Sequence, residues 1–262
     1  MKLSISNIAW SAEYDEEMYA YLKETGFKGL EIAPTRIYPE NPYNKLSEAK
    51  DWAAKLKEVY SLDISSMQSI WYGRDEKLFG TIEERKILVE YTKRAILFAE
   101  AVGCSNLVFG CPKNRDIEDV SANYSVVIDF FRELGNYALN HNTVIALEPN
   151  PKIYNTRFIN TTEQAFELVN NVQSNGFLVN VDLGAILQNN EKIDIISENI
   201  ELVNHVHISE PYLSVIKKDP LHIILKEILV NNEYNKYISI EMAKQELFTI
   251  KRILNYVKQV FE

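Results

Sequence analysis

Glu148, Asp182, His207 and Glu241 each stand at or near the end of a short apolar run, at separations of 34, 25 and 34 residues. The runs are "TVIALEP" (143–149), "FLVNVDL" (177–183), "LVNHVHIS" (202–209) and "YISIEM" (237–242). A charged group or an imidazole is costly to bury unless something pairs with it or coordinates it. Three carboxylates gathered with an imidazole in one confined mouth repel one another unless a cation neutralises them. Mixed oxygen and nitrogen ligation suits Mn²⁺, Co²⁺, Mg²⁺ or Zn²⁺, so the pattern predicts one divalent metal ion. His205, two positions before His207, points to the same side of its strand but deeper, as a hydrogen-bonded core histidine. Glu31 and Glu210 are expected to support the ligands or to touch substrate. His141, ahead of "NTVIAL", reads as a helix C-terminal cap.

The elements that must position these residues alternate along the whole chain. Four further runs precede the four above: "LSISNI" (3–8), "GLEIAP" (29–34), "DISSMQSI" (63–70) and "NLVFGC" (106–111). That makes eight strands. Helical spacing fills the gaps. In "TIEERKILVEYTKRAILFAEAVG" (81–103), Leu88, Tyr91, Ala95, Phe98 and Val102 form one apolar stripe. Thr81 with Glu84 predicts a capping box, and Gly103 a stop. "NTTEQAFELVNNV" (160–172) starts in the same way, and "AKQELFTIKRILNYVKQVFE" is the last helical segment.

Eight such units in about 250 residues predict an α/β (β/α)8 TIM barrel occupying residues 1–262 as a single domain. An open doubly wound sheet also alternates, but it usually carries a glycine-rich phosphate turn after its first strand. Here the first strand runs into "AWSAEYD", and no GxGxxG or GxxxxGK[ST] occurs. In a barrel the active site collects at the C-terminal ends of the strands, which is where the four residues fall.

Composition narrows the function. The chain of 262 residues is 46% hydrophobic and 25% charged, which suffices for a sizeable core. Its net charge of -9 disfavours nucleic acid and an anionic membrane surface as partners. Cys104 and Cys111 make neither a CxxC pair nor a disulfide framework. The start "MKLSISNIAW" lacks the apolar run of a signal peptide, and no stretch approaches membrane-span length. A cytoplasmic protein is expected.

With "ALEPNP", "NVDLG", "HVHISE", "SIEM", the opening "SISNIAW" and the "GLEI" of the second strand, the chain resembles the xylose isomerase-like TIM-barrel superfamily of sugar isomerases and epimerases. The resemblance covers essentially the whole chain. It implies that Glu148, Asp182, His207 and Glu241 bind one divalent metal. Its resemblance to ketose 3-epimerases further implies that Glu148 and Glu241 are the acid/base pair. One would remove a proton beside a carbonyl, giving a metal-stabilised cis-enediolate, and the other would return a proton to the opposite face. The implied partner is a small carbohydrate, and a homo-oligomer is left open.

The sequence also departs from that pattern. Ala185 stands where the family usually has a substrate-binding histidine. Tyr154 and Leu213 stand where ketose 3-epimerases carry a glutamate and an arginine. A different sugar, an acidic derivative and a lost activity all stay open. The candidate substrate contacts are Glu210, Lys152, Tyr154, Trp10, Gln68 and His222, with Trp71 and Arg157 beside them. Two rival readings share the fold. One is a sugar-binding barrel that keeps its metal for structure. The other is a DNA-repair nuclease resembling the endonuclease IV group, whose three-metal cluster is rich in histidine. With no histidine in "SSMQS" or "VFGCP" and none at Ala185, this chain has ligands for one metal rather than three.

Overall fold

A computed structural model describes residues 1–119 and 121–262. Strands β1 (Lys2–Ser6), β2 (Gly29–Ile32), β3 (Asp63–Met67), β4 (Leu107–Phe109), β5 (Ile145–Leu147), β6 (Phe177–Asp182), β7 (Val203–Ile208) and β8 (Tyr237–Ile240) pair in sequence order. All pairings are parallel, and β8 returns to β1 to close the barrel. Each strand is covered on its outer face by helices and on its inner face by side chains of the others. That is why these segments read as near-continuous apolar runs rather than as alternating ones.

The helices that follow the strands in turn are α1 (Asp15–Thr25), α2 (Leu46–Tyr60), α3 (Ile82–Val102), α4 (Tyr124–Asn140), α5 (Thr162–Val172), α6 (Leu183–Asn189), α7 (Pro220–Asn231) and α8 (Leu247–Phe261). The start and stop signals have their physical counterparts. Glu84 N donates to Thr81 Oγ1 at 3.2 Å while Thr81 N donates to Glu84 Oε2 at 2.8 Å, and Gly103 closes α3 at φ 68°. Thr161 and Gln164 make the same reciprocal pair at the start of α5. Each cap is worth about 1 kcal/mol. The apolar stripe of α3 is wider than its sequence spacing implies. Leu88, Ala95, Phe98 and Val102 are buried, Tyr91 only half so, and Thr92, Ile96 and Ala99 are buried as well. The helix packs against both α2 and α4, so two flanks are covered as well as the face toward the barrel.

The strands are shorter than the apolar runs at their C-terminal ends. β3 stops at Met67 and β4 at Phe109, because Ser69 and Cys111 turn the chain through left-handed backbone at φ 54° and 48°. Strand register brings the chemistry together. Asp182 lies opposite His207, and His207 opposite Ser239. A bulge between Val179 and Asn180 adjusts β6 just before its polar end. Among the described residues, no helix is long and apolar enough to cross a membrane.

Candidate active site and metal centre

His207 is the hub. It is wholly buried on β7 with its Nδ1 facing three carboxylates: Glu148 Oε1 at 2.9 Å, Glu241 Oε2 at 3.2 Å and Asp182 Oδ2 at 3.9 Å. One ligand atom from each of these four residues lies within 4.8 Å of all the others. Glu148 follows β5, Asp182 ends β6 and Glu241 follows β8, so three strand ends deliver acids to the imidazole of a fourth strand.

Each carboxylate is held from behind. Glu148 accepts hydrogen bonds from Asn180 Nδ2 on Oε1 at 2.8 Å and from Asn150 Nδ2 on Oε2 at 3.1 Å. Asp182 accepts from the Ala185 backbone N–H at 2.6 Å and from Ser209 Oγ at 2.5 Å. It therefore serves as the N-cap of α6 and still turns Oδ2 toward His207. The other imidazole nitrogen, Nε2, lies 2.9 Å from Glu31 Oε2. Donation of Nε2–H to that carboxylate leaves Nδ1 aimed at the three acids, which is the usual support of a metal-bound histidine.

Burial and crowding shape the charges. Burial, reinforced by the Glu148 and Glu241 carboxylates, pushes Asp182 up to about 7. Glu241 is also raised, chiefly by burial. Burial opposes a charge on His207, but Glu31, Glu241 and Glu148 hold its pKa well above the usual imidazole range. Burial likewise opposes a charge on Glu31, yet His207 and His205 hold its pKa below the carboxylate range. A proton on Nδ1, or a cation in its place, is what neutralises such a cluster. The donor set of three carboxylates and one imidazole, converging in a buried spot, fits a single hard or borderline divalent ion.

A second close group, Glu31 with His205 and His207, lies beneath. His205 Nε2 is 3.1 Å from the same Glu31 oxygen but makes no aligned hydrogen bond, and burial lowers its pKa toward the neutral imidazole. Glu31 Oε1 accepts from Gln68 Nε2 at 3.3 Å, and Gln68 also donates to Ser6 Oγ at 2.7 Å. All three members of the lower group are at most 1% exposed.

Above the four acidic and imidazole groups lies a pocket of about 200 Å³ whose walls include Gln68, Asn150, Tyr154, Glu210 and Leu213. Of the substrate candidates, Gln68, Tyr154 and Glu210 line it. Glu210 Oε1 accepts from the Lys217 N–H at 3.0 Å, and Tyr154 accepts from the Tyr212 N–H at 2.8 Å. The other candidates stand elsewhere. Lys152 is exposed on the turn before Tyr154. Trp10 is buried against Arg36 and donates to Asp15 at 2.8 Å. His222 is enclosed on α7 with Nδ1 at 2.8 Å from Tyr256 OH. Trp71 donates to Thr92 in the core, and Arg157 pairs with Asp116. His141 follows the last residue of α4 as its C-cap, with its ring at 2.9 Å from Glu100.

Asn150, Asn180, Ser209 and Arg115 join the site without having been singled out in the sequence. Arg115 is wholly buried, and its Nη2 donates to the Glu148 carbonyl at 2.8 Å and to Asn150 Oδ1 at 2.9 Å. A polar Asn180 amid "FLVNVDL" was a readable signal, since it shares a face with Asp182. Arg115 in "CPKNRD" was not, since its partners lie far along the chain.

Comparison with known proteins agrees with the barrel fold. A curated relative, 3-dehydro-D-guloside 4-epimerase of Escherichia coli (strain K12), is 26% identical over 223 residues, covering 80% of this chain and 79% of its own. The crystal structure of an E. coli 3-keto-D-glucoside 4-epimerase superposes with a TM-score of 0.78 at 22% identity, covering 99% of both chains. D-psicose 3-epimerase from Clostridium cellulolyticum H10, solved with D-tagatose, gives 0.78 at 16% identity over the full length of both. The sequence profile of one family matches residues 19–246, and the chain belongs to that family, the xylose isomerase-like TIM barrels.

Proposed function

We propose that this protein is a divalent-metal-dependent sugar epimerase or isomerase that moves a proton on the carbon beside a sugar ketone. The carrying observation is the convergence of Glu148, Asp182, Glu241 and His207 Nδ1 within 4.8 Å at the floor of a sugar-sized pocket. Glu148, Asp182, His207 and Glu241 would hold Mn²⁺, Co²⁺, Mg²⁺ or Zn²⁺. Such an ion polarises a bound carbonyl and makes the adjacent C–H acidic. The relatives' names support this reading, because in each the inverted centre neighbours a ketone.

The chain's own residues supply the rest. Glu148 and Glu241 rise from well-separated strands and serve as the paired base and acid, one taking the proton and the other returning one. Asn150 and Asn180 fix both oxygens of Glu148, so its carboxylate meets the substrate in one orientation. Asp182 and His207 hold the cation and stay out of the proton transfer. Gln68, Tyr154 and Glu210 contact the sugar from the walls.

Deuterium uptake from D₂O into a 3-keto-glucoside or a ketohexose, read by NMR after adding Mn²⁺, tests the reading. Wild type should exchange one carbon-bound proton, and Glu148→Gln and Glu241→Gln should each lose at least about a thousandfold in rate. Exchange at the wild-type rate in either variant removes the acid/base assignment. Metal and tight sugar binding without any exchange makes the protein a binding barrel.

A further inference from the structure

A second hollow of about 530 Å³ opens directly beside the acidic pocket, and Pro112 and Tyr154 form walls of both. Its other walls include Phe79, Ile117, Asn155, Lys77, Lys113 and Asp116. The acidic pocket, at about 200 Å³, is less than half as large. The larger space next door is therefore the natural place for whatever the reacting sugar carries.

The hollow is built rather than incidental. Three rim segments, following β3, β4 and β5, are tied to one another around it. Asn114 is buried, donates Nδ2 to the carbonyls of Arg74 and Glu76 at 3.0 and 2.9 Å, and accepts from the Leu78 N–H at 2.8 Å. Asp116 accepts from the Arg157 backbone N–H at 2.8 Å and from its Nη2 at 2.7 Å. Phe79 meets Phe158 edge to face at a centroid distance of 5.1 Å. A space held open by such ties needs little ordering when a ligand enters.

Its lining indicates the kind of ligand. Two aromatic rings and one branched aliphatic side chain share the walls with an amide, two ammonium groups and a carboxylate. Lys77, Lys113 and Asp116 are already engaged by the Lys113 carbonyl, Asp75 and Arg157, which leaves the rings and the Asn155 amide to a ligand, and a sugar ring with its apolar face and many hydroxyls suits both.

We propose that this hollow is a subsite for a second sugar ring, so that the substrate is a keto sugar bearing a glycosidic sugar substituent, with Tyr154 between the two rings. The proposal rests on the epimerase reading above but concerns binding, not the reaction. The test is calorimetric titration of the protein, with and without added Mn²⁺, by methyl α- and β-D-glucoside, maltose and cellobiose. At least one disaccharide should bind about tenfold more tightly than the methyl glucoside of the same anomer. Phe79→Ala, which removes a wall, and Ile117→Trp, which fills the space, should each erase that advantage and leave methyl glucoside affinity within about twofold. Equal affinities, a disaccharide advantage that survives both substitutions, or no binding of any of the four sugars overturns the subsite. Proton exchange on keto sugars without a disaccharide preference removes the subsite alone. Disaccharide binding without exchange removes the epimerase reading alone.

Discussion

Glu31 Oε2 and His207 Nε2 lie 2.9 Å apart, with both side chains wholly shielded from solvent. This pairing decides which nitrogen of His207 faces the three carboxylates. Replacing Glu31 by Gln keeps the shape but removes the charge that orients the ring and raises its basicity. Glu31→Gln should weaken Mn²⁺ binding about ten- to a hundredfold, the range typical of such supporting groups. Competition with a chelator reads the affinity. Unchanged affinity would show that Glu31 only fills the barrel.

Arg115 acts from the other side of the site. Its guanidinium is fully enclosed, and two of its nitrogens, Nε and Nη1, have no partner among the described residues. Burial brings its pKa down to about 10, which still leaves it charged at neutral pH. Among the described residues, no carboxylate pairs with it directly. Its bonds go to the Glu148 and Ile159 carbonyls and to the Asn150 amide that grips Glu148. Arg115→Met should cost about 1–3 kcal/mol of stability, because these acceptors lose a charged donor. Asn150→Ala keeps Arg115 on the Glu148 and Ile159 carbonyls, removes one of its three acceptors and frees one oxygen of the carboxylate. It should lower proton exchange about tenfold or more with a small change in Tm, since a misplaced base is slow even in an intact fold. Full exchange in Asn150→Ala would show that Glu148 needs no such grip.

Much of this was legible in the sequence, and the limits are physical. Strands buried on both faces are written as apolar runs, so all eight were visible, and the ligand spacing followed from repetition of the βα unit. The ends of the runs were not visible. Ser69 and Cys111 look like strand residues but take left-handed backbone, which the tertiary turn imposes. The three site acids and the histidine could be gathered because apolar strands have few reasons to carry them. Trp10, Lys152 and His222 could not be sorted in that way, because a sequence does not say which wall a loop or helix residue faces. Trp10 satisfies its indole on Asp15, and His222 satisfies its imidazole on Tyr256. Arg115 was hidden because a short turn carries it to carbonyls 33 and 44 residues away.

Gly110 stands where β4 gives way to the turn that carries Arg115. A Cβ there would lie 2.8 Å from Glu148 Oε2 and 3.5 Å from Asn150 Oδ1. The carboxylate is pinned by two asparagines and cannot swing aside without losing them. Gly110→Ala should therefore fold normally, because only a side-chain tip is displaced, yet lose about tenfold or more of its exchange rate. Circular dichroism and the D₂O assay together check this. Wild-type exchange would mean that Glu148 tolerates the shift.

Metal binding should sharpen as pH rises through 7. Asp182 sits at about 7 in the folded chain without a cation, against about 4 when unfolded. The folded state thus binds this proton more tightly than the unfolded state. Its contribution is favourable at low pH and is lost as pH climbs between those two values. His207 also carries a proton that a cation must displace. Both effects act in one direction. The cation competes with protons below pH 7, and above it the cation relieves a repulsion that burdens the metal-free fold. The apparent Kd for Mn²⁺ should tighten at least about tenfold from pH 6 to pH 8, with one proton released per unit of slope. The rise in Tm on adding Mn²⁺ should grow over the same interval. A Kd independent of pH would mean that Asp182 and His207 are not ligands, and Asp182→Asn would then leave the affinity unchanged.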